Sequence, residues 1–273
     1  MEKNLVNLAV MFSFNKRLKK LIEKKSSWLC VGLDMDPEKL GTNDISALKK
    51  HTFKVIDATR DFTVAYKPNF AFFERWGAAG YAWLEETVNY IGDDHIKIAD
   101  AKRADIGNTS EQYAKSIFGH FGFDCATINP YLGSDSIFPF TKNKEKGVFV
   151  LCKTSNNSSI ELQDLLVDGE PLFKHIANLA NRININDNIG LVIGATTPKN
   201  LKKIREDFTD MPFLIPGVGA QGGSLSKSLI YSNISGVGLI NVSRGISFAG
   251  DMSEKSIHLA AASYLDQMRK ILI

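Results

Sequence analysis

Eight short apolar runs, each followed by a stretch that can form a helix, constrain this chain more than any other feature. The runs are Trp28–Leu33, Thr63–Tyr66, Ile96–Ala99, Ala126–Ile128, Val148–Leu151, Leu191–Ile193, Phe213–Ile215 and Val237–Val242. Helical periodicity is clearest over Ala47–Thr59, Ala79–Tyr90, Ser110–Phe118, Leu172–Asn181, Asn200–Phe208 and Glu254–Ile271. Near-continuous apolar strands separated by helices imply a parallel sheet covered on its outer face. Eight such units in 273 residues predict a single closed (β/α)8 TIM barrel, with a doubly wound open sheet as the alternative. No Pro/Gly/Ser-rich linker divides the chain, so residues 1–273 are expected to form one domain. Asn156–Gly169 lacks a strong period and is expected to be a mobile loop after the fifth strand.

Composition excludes several function classes. A net charge of +3 is too small to imply nucleic-acid binding. The basic cluster Lys16, Arg17, Lys19, Lys20, Lys24 and Lys25 lies opposite Phe14, Leu18, Leu21 and Ile22, as on the solvated face of an amphipathic helix. No apolar run reaches the ~18 residues of a membrane span. Residues 1–13 lack the basic start and cleavage site of a leader and are expected to be an N-terminal docking segment, with a frayed terminus as the alternative. Cys30, Cys125 and Cys152 are well separated and have no C-x-x-C spacing. They fit buried free thiols in a reducing compartment, so a cytoplasmic location is expected. The five histidines show no ligand spacing, and no metal site is expected.

The third unit carries the densest chemistry. Ile98-Ala99-Asp100-Ala101-Lys102-Arg103-Ala104-Asp105 delivers an acid, a lysine and a second acid within six positions. Alternation along a strand would point Asp100 and Lys102 the same way, with Asp105 in the loop beyond. Such charges are costly to bury unless they pair. A solvated turn with an incidental ion pair would be worth little. Polar residues recur at other strand ends, however: Asp34, Lys67 and Asn69, Asn129, Lys153-Thr154-Ser155, Gln221 and Arg244. Active sites of this barrel class are built on that face.

Gly217-Val218-Gly219-Ala220-Gln221-Gly222 matches G-x-G-x-x-G, but no acid occurs between Asp210 and Asp251 to bind a ribose as in a dinucleotide fold. An acid-free, glycine-rich turn after the seventh strand suits a phosphate instead. Asn241-Val242-Ser243-Arg244-Gly245 on the next strand adds a guanidinium with bidentate geometry. A purely structural turn is the alternative.

Asp100-x-Lys102-x-x-Asp105-Ile106 followed by Asn108-Thr109 resembles the signature of orotidine 5′-monophosphate decarboxylases. The likeness runs from Gly32-Leu33-Asp34 to Ser243-Arg244-Gly245, and Leu151-Cys152-Lys153-Thr154-Ser155-Asn156 is similar to the longer branch of that family. The resemblance implies decarboxylation of OMP to UMP without a cofactor, by a homodimer. Lys67, Asp100, Lys102 and Asp105 would form an alternating charge array. Asp34 and Lys67 would contact the ribose, with Asn69 beside them. Asp105 and Thr109 would enter the site from the neighbouring subunit. Thr154 and Ser155 would face the pyrimidine. Gln221 and Arg244, with Gly222, Gly223 and Ser243, would hold the phosphate. A sister class, magnesium-dependent sugar-phosphate decarboxylases or aldolases, shares D-x-K-x-x-D but holds its cation with an acid where this chain has Lys67. A catalytically silent phosphate-binding barrel is the remaining alternative.

Overall fold

The computed structural model describes residues 12–219 and 222–273, so all but two of the first thirteen residues, where a docking segment was expected, lie outside the described residues. Eight parallel strands close into a barrel: β1 (Leu29–Leu33), β2 (Ala65–Pro68), β3 (Ile96–Arg103), β4 (Cys125–Ile128), β5 (Gly147–Lys153), β6 (Ile189–Ile193), β7 (Phe213–Ile215) and β8 (Gly238–Val242). β8 pairs with β1 through Cys30 opposite Asn241, so the sheet has no edge and the open-sheet alternative falls away. The expected helices form over Ile45–Thr59, Gly77–Ile91, Gly107–Ala114, Leu172–Arg182, Pro198–Asp207 and Glu254–Leu272. Asp44 and Ser253 cap two of them, accepting from the amides of Ser46 and Ser256.

Strand alternation sorts the apolar residues into two layers. Leu29, Val31 and Leu33 of β1 pack outward against the helices. Cys30, Ala65, Ile96, Ile98, Cys125, Phe149, Val192, Leu214 and Leu239 fill the barrel itself. The helix Phe14–Lys25 seals the end where the strands begin, with Phe14, Leu18 and Ile22 in that inner cluster and its basic residues turned away. Phe14 stands edge-on to Phe149, and Gly147 leaves the room: a Cβ there would lie 2.2 Å from the Phe14 ring.

Two features go beyond what the periodicity shows. β3 runs on to Arg103 instead of ending at Ala99, with its register broken between those two residues. The segment after β5, where a mobile loop is expected, contains a tight turn (Asn157–Ser159), a short helix (Ile160–Gln163) and a two-residue ladder of Leu166–Val167 with Glu170–Pro171. Its elements are too short to give a readable period.

Arg205, on a helix that is otherwise largely polar, is fully buried over the Phe213 ring. It donates to the carbonyls of Phe208, Thr209, Met211 and Val237, fixing the chain just before β7 and β8. Arg205→Leu strands these acceptors and is expected to cost about 3 kcal/mol or more in urea denaturation. A loss below about 1 kcal/mol would mean that water replaces the guanidinium.

Candidate active site

The inward series that fill the barrel turn polar at the strand C-termini. Ile96 and Ile98 are continued by Asp100, Ala65 by Lys67, Cys125 by Thr127 and Leu239 by Asn241. Together with Leu151, Val192 and Leu214 these residues floor a pocket of about 570 Å³ at that end. The charged side of the floor comes from β2 and β3. The apolar side comes from β5 to β7, across the barrel. A larger hollow of about 710 Å³ lies at the opposite end, among surface residues such as Arg17, Lys20, Asp93 and Asp94. It lies away from the strand ends that carry the converging charges.

Asp100 is the hub. Its Oδ2 accepts from Lys67 Nζ at 2.6 Å, and its Oδ1 accepts from Lys102 Nζ and, at 3.2 Å, from Thr127 Oγ1. Lys67 is only 4% exposed and Asp100 9%, whereas the Lys102 side chain is 49% exposed. Burial alone would raise the Asp100 carboxyl, but the Lys67 and Lys102 ammoniums outweigh it and hold the group well below the usual carboxylate range. Burial alone would lower Lys67. The Asp100 and Asp34 carboxylates reverse that and push its ammonium above the ordinary lysine value. The depressed acid contributes its stabilisation fully above about pH 4, the unfolded value, and loses it only as pH falls through the much lower folded value. The raised lysine contributes fully below about pH 10 and loses it only above. The pair therefore keeps both charges across that range.

Lys102 reaches Asp100 by a route that alternation does not predict. Its φ is +47°, in the left-handed region, at the point where β3 loses register with β4. Its amide donates to Thr127 Oγ1 at 2.9 Å.

The other expected residues divide into three groups. Asp34, Asn69, Thr154, Ser155, Ser243 and Arg244 line the same pocket. Asp34 Oδ1 and Ser243 Oγ are buried there without a hydrogen-bond partner, an arrangement that suits a polar ligand. Asn69 also caps the short helix Phe70–Glu74. Asp105 and Thr109 do not line the pocket. Asp105 accepts from the Ile106 amide, and Thr109 is exposed on the following helix. Gly222 and Gly223 lie off the pocket as well, and Gln221 is outside the described residues. The amides of Gly219, Gly222 and Gly223 are spent on carbonyls within their own turn, so among the described residues it is Gly217 and Val218 that face the pocket. Asn129 caps a turn instead of facing the pocket, accepting from the Tyr131 amide. Lys153 is buried in an ion pair with Asp164.

Several contributors were not singled out in the sequence. Thr127 shares the inward parity of Cys125, which could have marked it. Gln163 grips Thr154 at both ends, accepting from its amide at 2.9 Å and donating to its hydroxyl at 2.8 Å. His51 donates to the Ser247 carbonyl at 2.7 Å and so anchors the short helix that begins at Arg244.

The sequence matches the family described as Orotidine 5'-phosphate decarboxylase / HUMPS family over residues 27–256. It is 47% identical over 254 residues to the orotidine 5'-phosphate decarboxylase of Halorubrum lacusprofundi, covering 89% of this chain and 90% of that one. Against that of Dehalococcoides mccartyi the identity is 44% over 262 residues, covering 94% and 96%. The solved structure of Leishmania donovani OMP decarboxylase superposes with a TM-score of 0.84 at 38% identity, over 95% of this chain and 99% of that one.

The unequal burial of the two lysines gives a stability test. Asp100→Asn leaves the Lys67 ammonium buried without its contact partner and is expected to cost about 3–5 kcal/mol in urea denaturation. Lys102→Ala leaves the Lys67–Asp100 pair intact and should change stability by less than about 1 kcal/mol. Equal losses in the two variants would refute Asp100 as the counter-charge that Lys67 needs.

Proposed function

This chain belongs to the orotidine 5′-phosphate decarboxylase / HUMPS family, and we propose that it converts orotidine 5′-monophosphate to UMP and CO2, the last step of UMP biosynthesis. The observation that carries this reading is the Lys67–Asp100–Lys102 array facing the apolar half of one pocket floor. Breaking the bond between C6 of the orotate ring and its carboxylate releases CO2. The bonding electron pair stays on C6, with no adjacent carbonyl to accept it. A fixed ammonium stabilises that charge and then supplies the proton that C6 needs.

Lys102 is assigned that role: its ammonium is held by Asp100, yet it is exposed enough to recover a proton from water. Asp100 would lie against the substrate carboxylate and oppose it, while Lys67 keeps Asp100 ionised. The unpartnered oxygen of Asp34, beside Lys67 and Asn69, fits a ribose hydroxyl. Thr154 and Ser155 are assigned to the pyrimidine. Arg244 is assigned to the phosphate, with Ser243 and Gln221. Binding energy from that remote dianion is then available to assemble the site around the ring.

A homodimer is part of the proposal. Asp105 and Thr109 lie outside their own pocket, and Ile106, Tyr113, Tyr131 and Phe138 expose apolar surface around them. Ser110 Oγ donates to the Ser136 carbonyl, tying the helix after Asp105 to that surface. These features support Asp105 and Thr109 reaching a partner's pocket. The three buried free thiols support a reducing, cytoplasmic setting, and no helix among the described residues is long and apolar enough to cross a membrane.

The direct test is loss of the orotate absorbance band on adding OMP in the presence of EDTA. Turnover is expected, and Lys102→Ala should retain under about a hundredth of it while still binding UMP. An inert wild-type protein would sink the reading; a metal requirement would favour the magnesium-dependent sister class.

The shared site has its own test. Inactive Lys102→Ala and Asp105→Ala homodimers are mixed until their subunits exchange. If Asp105 acts across the interface, each mixed dimer holds one intact site, and activity should climb to about a quarter of wild type. Proven exchange without recovery would leave Asp105 acting within its own subunit.

A further inference from the structure

We infer that Thr127 is a positioning residue for Lys102, an inference that rests on the decarboxylase reading above. Thr127 is 2% exposed on β4, with its side chain directed into the barrel beside Asp100. Its hydroxyl accepts from the Lys102 amide at 2.9 Å. Its single proton has two acceptors in reach, Asp100 Oδ1 at 3.2 Å and the Ala99 carbonyl at 3.5 Å. The carboxylate is the nearer of the two and carries the charge, so it takes the proton. Lys102 Nζ closes on the same Oδ1. The backbone and the ammonium of Lys102 are thus both referenced to one carboxylate oxygen, the backbone through Thr127 alone.

That reference matters because of the conformation it holds. A lysine at φ +47° is in a region that side-chain-bearing residues seldom occupy unless their surroundings enforce it. Here the register break leaves the Lys102 amide without a ladder partner on β4, and the Thr127 hydroxyl replaces that partner. Without the hydroxyl, the amide is unsatisfied next to a buried carboxylate. The backbone is then free to leave the left-handed conformation, which shifts the ammonium from the position it holds against Asp100 Oδ1. A displacement of about 1 Å at the reacting atom is enough to cost on the order of a hundredfold in rate. Substrate contacts at Asp34 and Arg244 would be untouched.

The test compares Thr127→Val, which keeps the shape and removes the hydroxyl, with Thr127→Ser, which keeps the hydroxyl and removes the methyl. In OMP turnover, the valine variant is expected to lose about 30- to 100-fold in kcat, with KM changed less than about threefold. The serine variant should stay within about threefold of wild type in both. Thr127→Ala, which adds no atoms, replaces valine if circular dichroism shows that the valine variant does not fold. Hydrogen exchange gives a second readout, independent of turnover. The Lys102 amide should be protected in wild type and in Thr127→Ser, and should exchange rapidly in the valine or alanine variant. A kcat within about threefold of wild type in the hydroxyl-free variant, equal losses in valine and serine, or a protected Lys102 amide without the hydroxyl would each overturn the inference. A wild-type protein with no OMP turnover would instead overturn the decarboxylase reading, and the exchange experiment would still judge the hold of Thr127 on Lys102.

Discussion

A carboxylate as deeply buried as Asp100 stays ionised only if positive charge is fixed beside it, and an ammonium as buried as Lys67 needs the converse. Each is the condition for the other, and the upper end of the barrel is organised around their contact. One oxygen of Asp100 is taken by Lys67; the other is shared by Lys102 and Thr127. With its acceptor positions occupied from three directions, the carboxylate has a single orientation before any ligand arrives. Charges fixed in advance need little reorganisation when charge develops in a substrate, which is the condition for large electrostatic effects on rate.

The barrel makes this possible by treating its two ends differently. Phe14, Leu18 and Ile22 close the lower end with hydrocarbon. The same inward strand positions one or two steps higher carry Lys67, Asp100, Thr127 and Asn241. Water is excluded below the charge array and admitted above it. Lys67 therefore sits at the boundary of the dry interior, while Lys102, two residues beyond Asp100, reaches the solvent-filled pocket.

Strand parity explains why part of this was legible without coordinates. Ile96, Ile98 and Asp100 follow one another on a single face, as do Ala65 and Lys67, so the inward direction of the buried pair follows from alternation. Alternation also brings Lys102 to the side of Asp100, but it does not give the backbone conformation of Lys102. Its left-handed backbone is imposed by β4, and nothing local marks it, since the usual signal for a positive φ is a glycine. Gln163 and Asp164 were hidden for a different reason. They sit in a segment of one-turn and two-residue elements, too short for periodicity, and act by folding back on Thr154 and Lys153 within the same loop. Arg205 is concealed among the polar residues of its own helix. The glycine-rich turn was recognisable by composition, but where its amides point depends on hydrogen bonds made inside the turn.

The helix that seals the lower end also constrains the order of events during folding. Its first residues are held by parts of the chain far downstream. The Phe14 amide donates to the Lys144 carbonyl, Ser13 Oγ to Asp187 and Asn15 Nδ2 to the Ile189 carbonyl. None of these acceptors exists until more than half of the polypeptide has been made. Emerging from the ribosome, the helix must therefore wait, with Phe14, Leu18 and Ile22 uncovered, while five strands are added. Its six basic side chains keep such an intermediate soluble and make sticking to a neighbouring nascent chain less favourable. An element synthesised early is thus docked late, and the barrel floor closes only after most of its wall is standing.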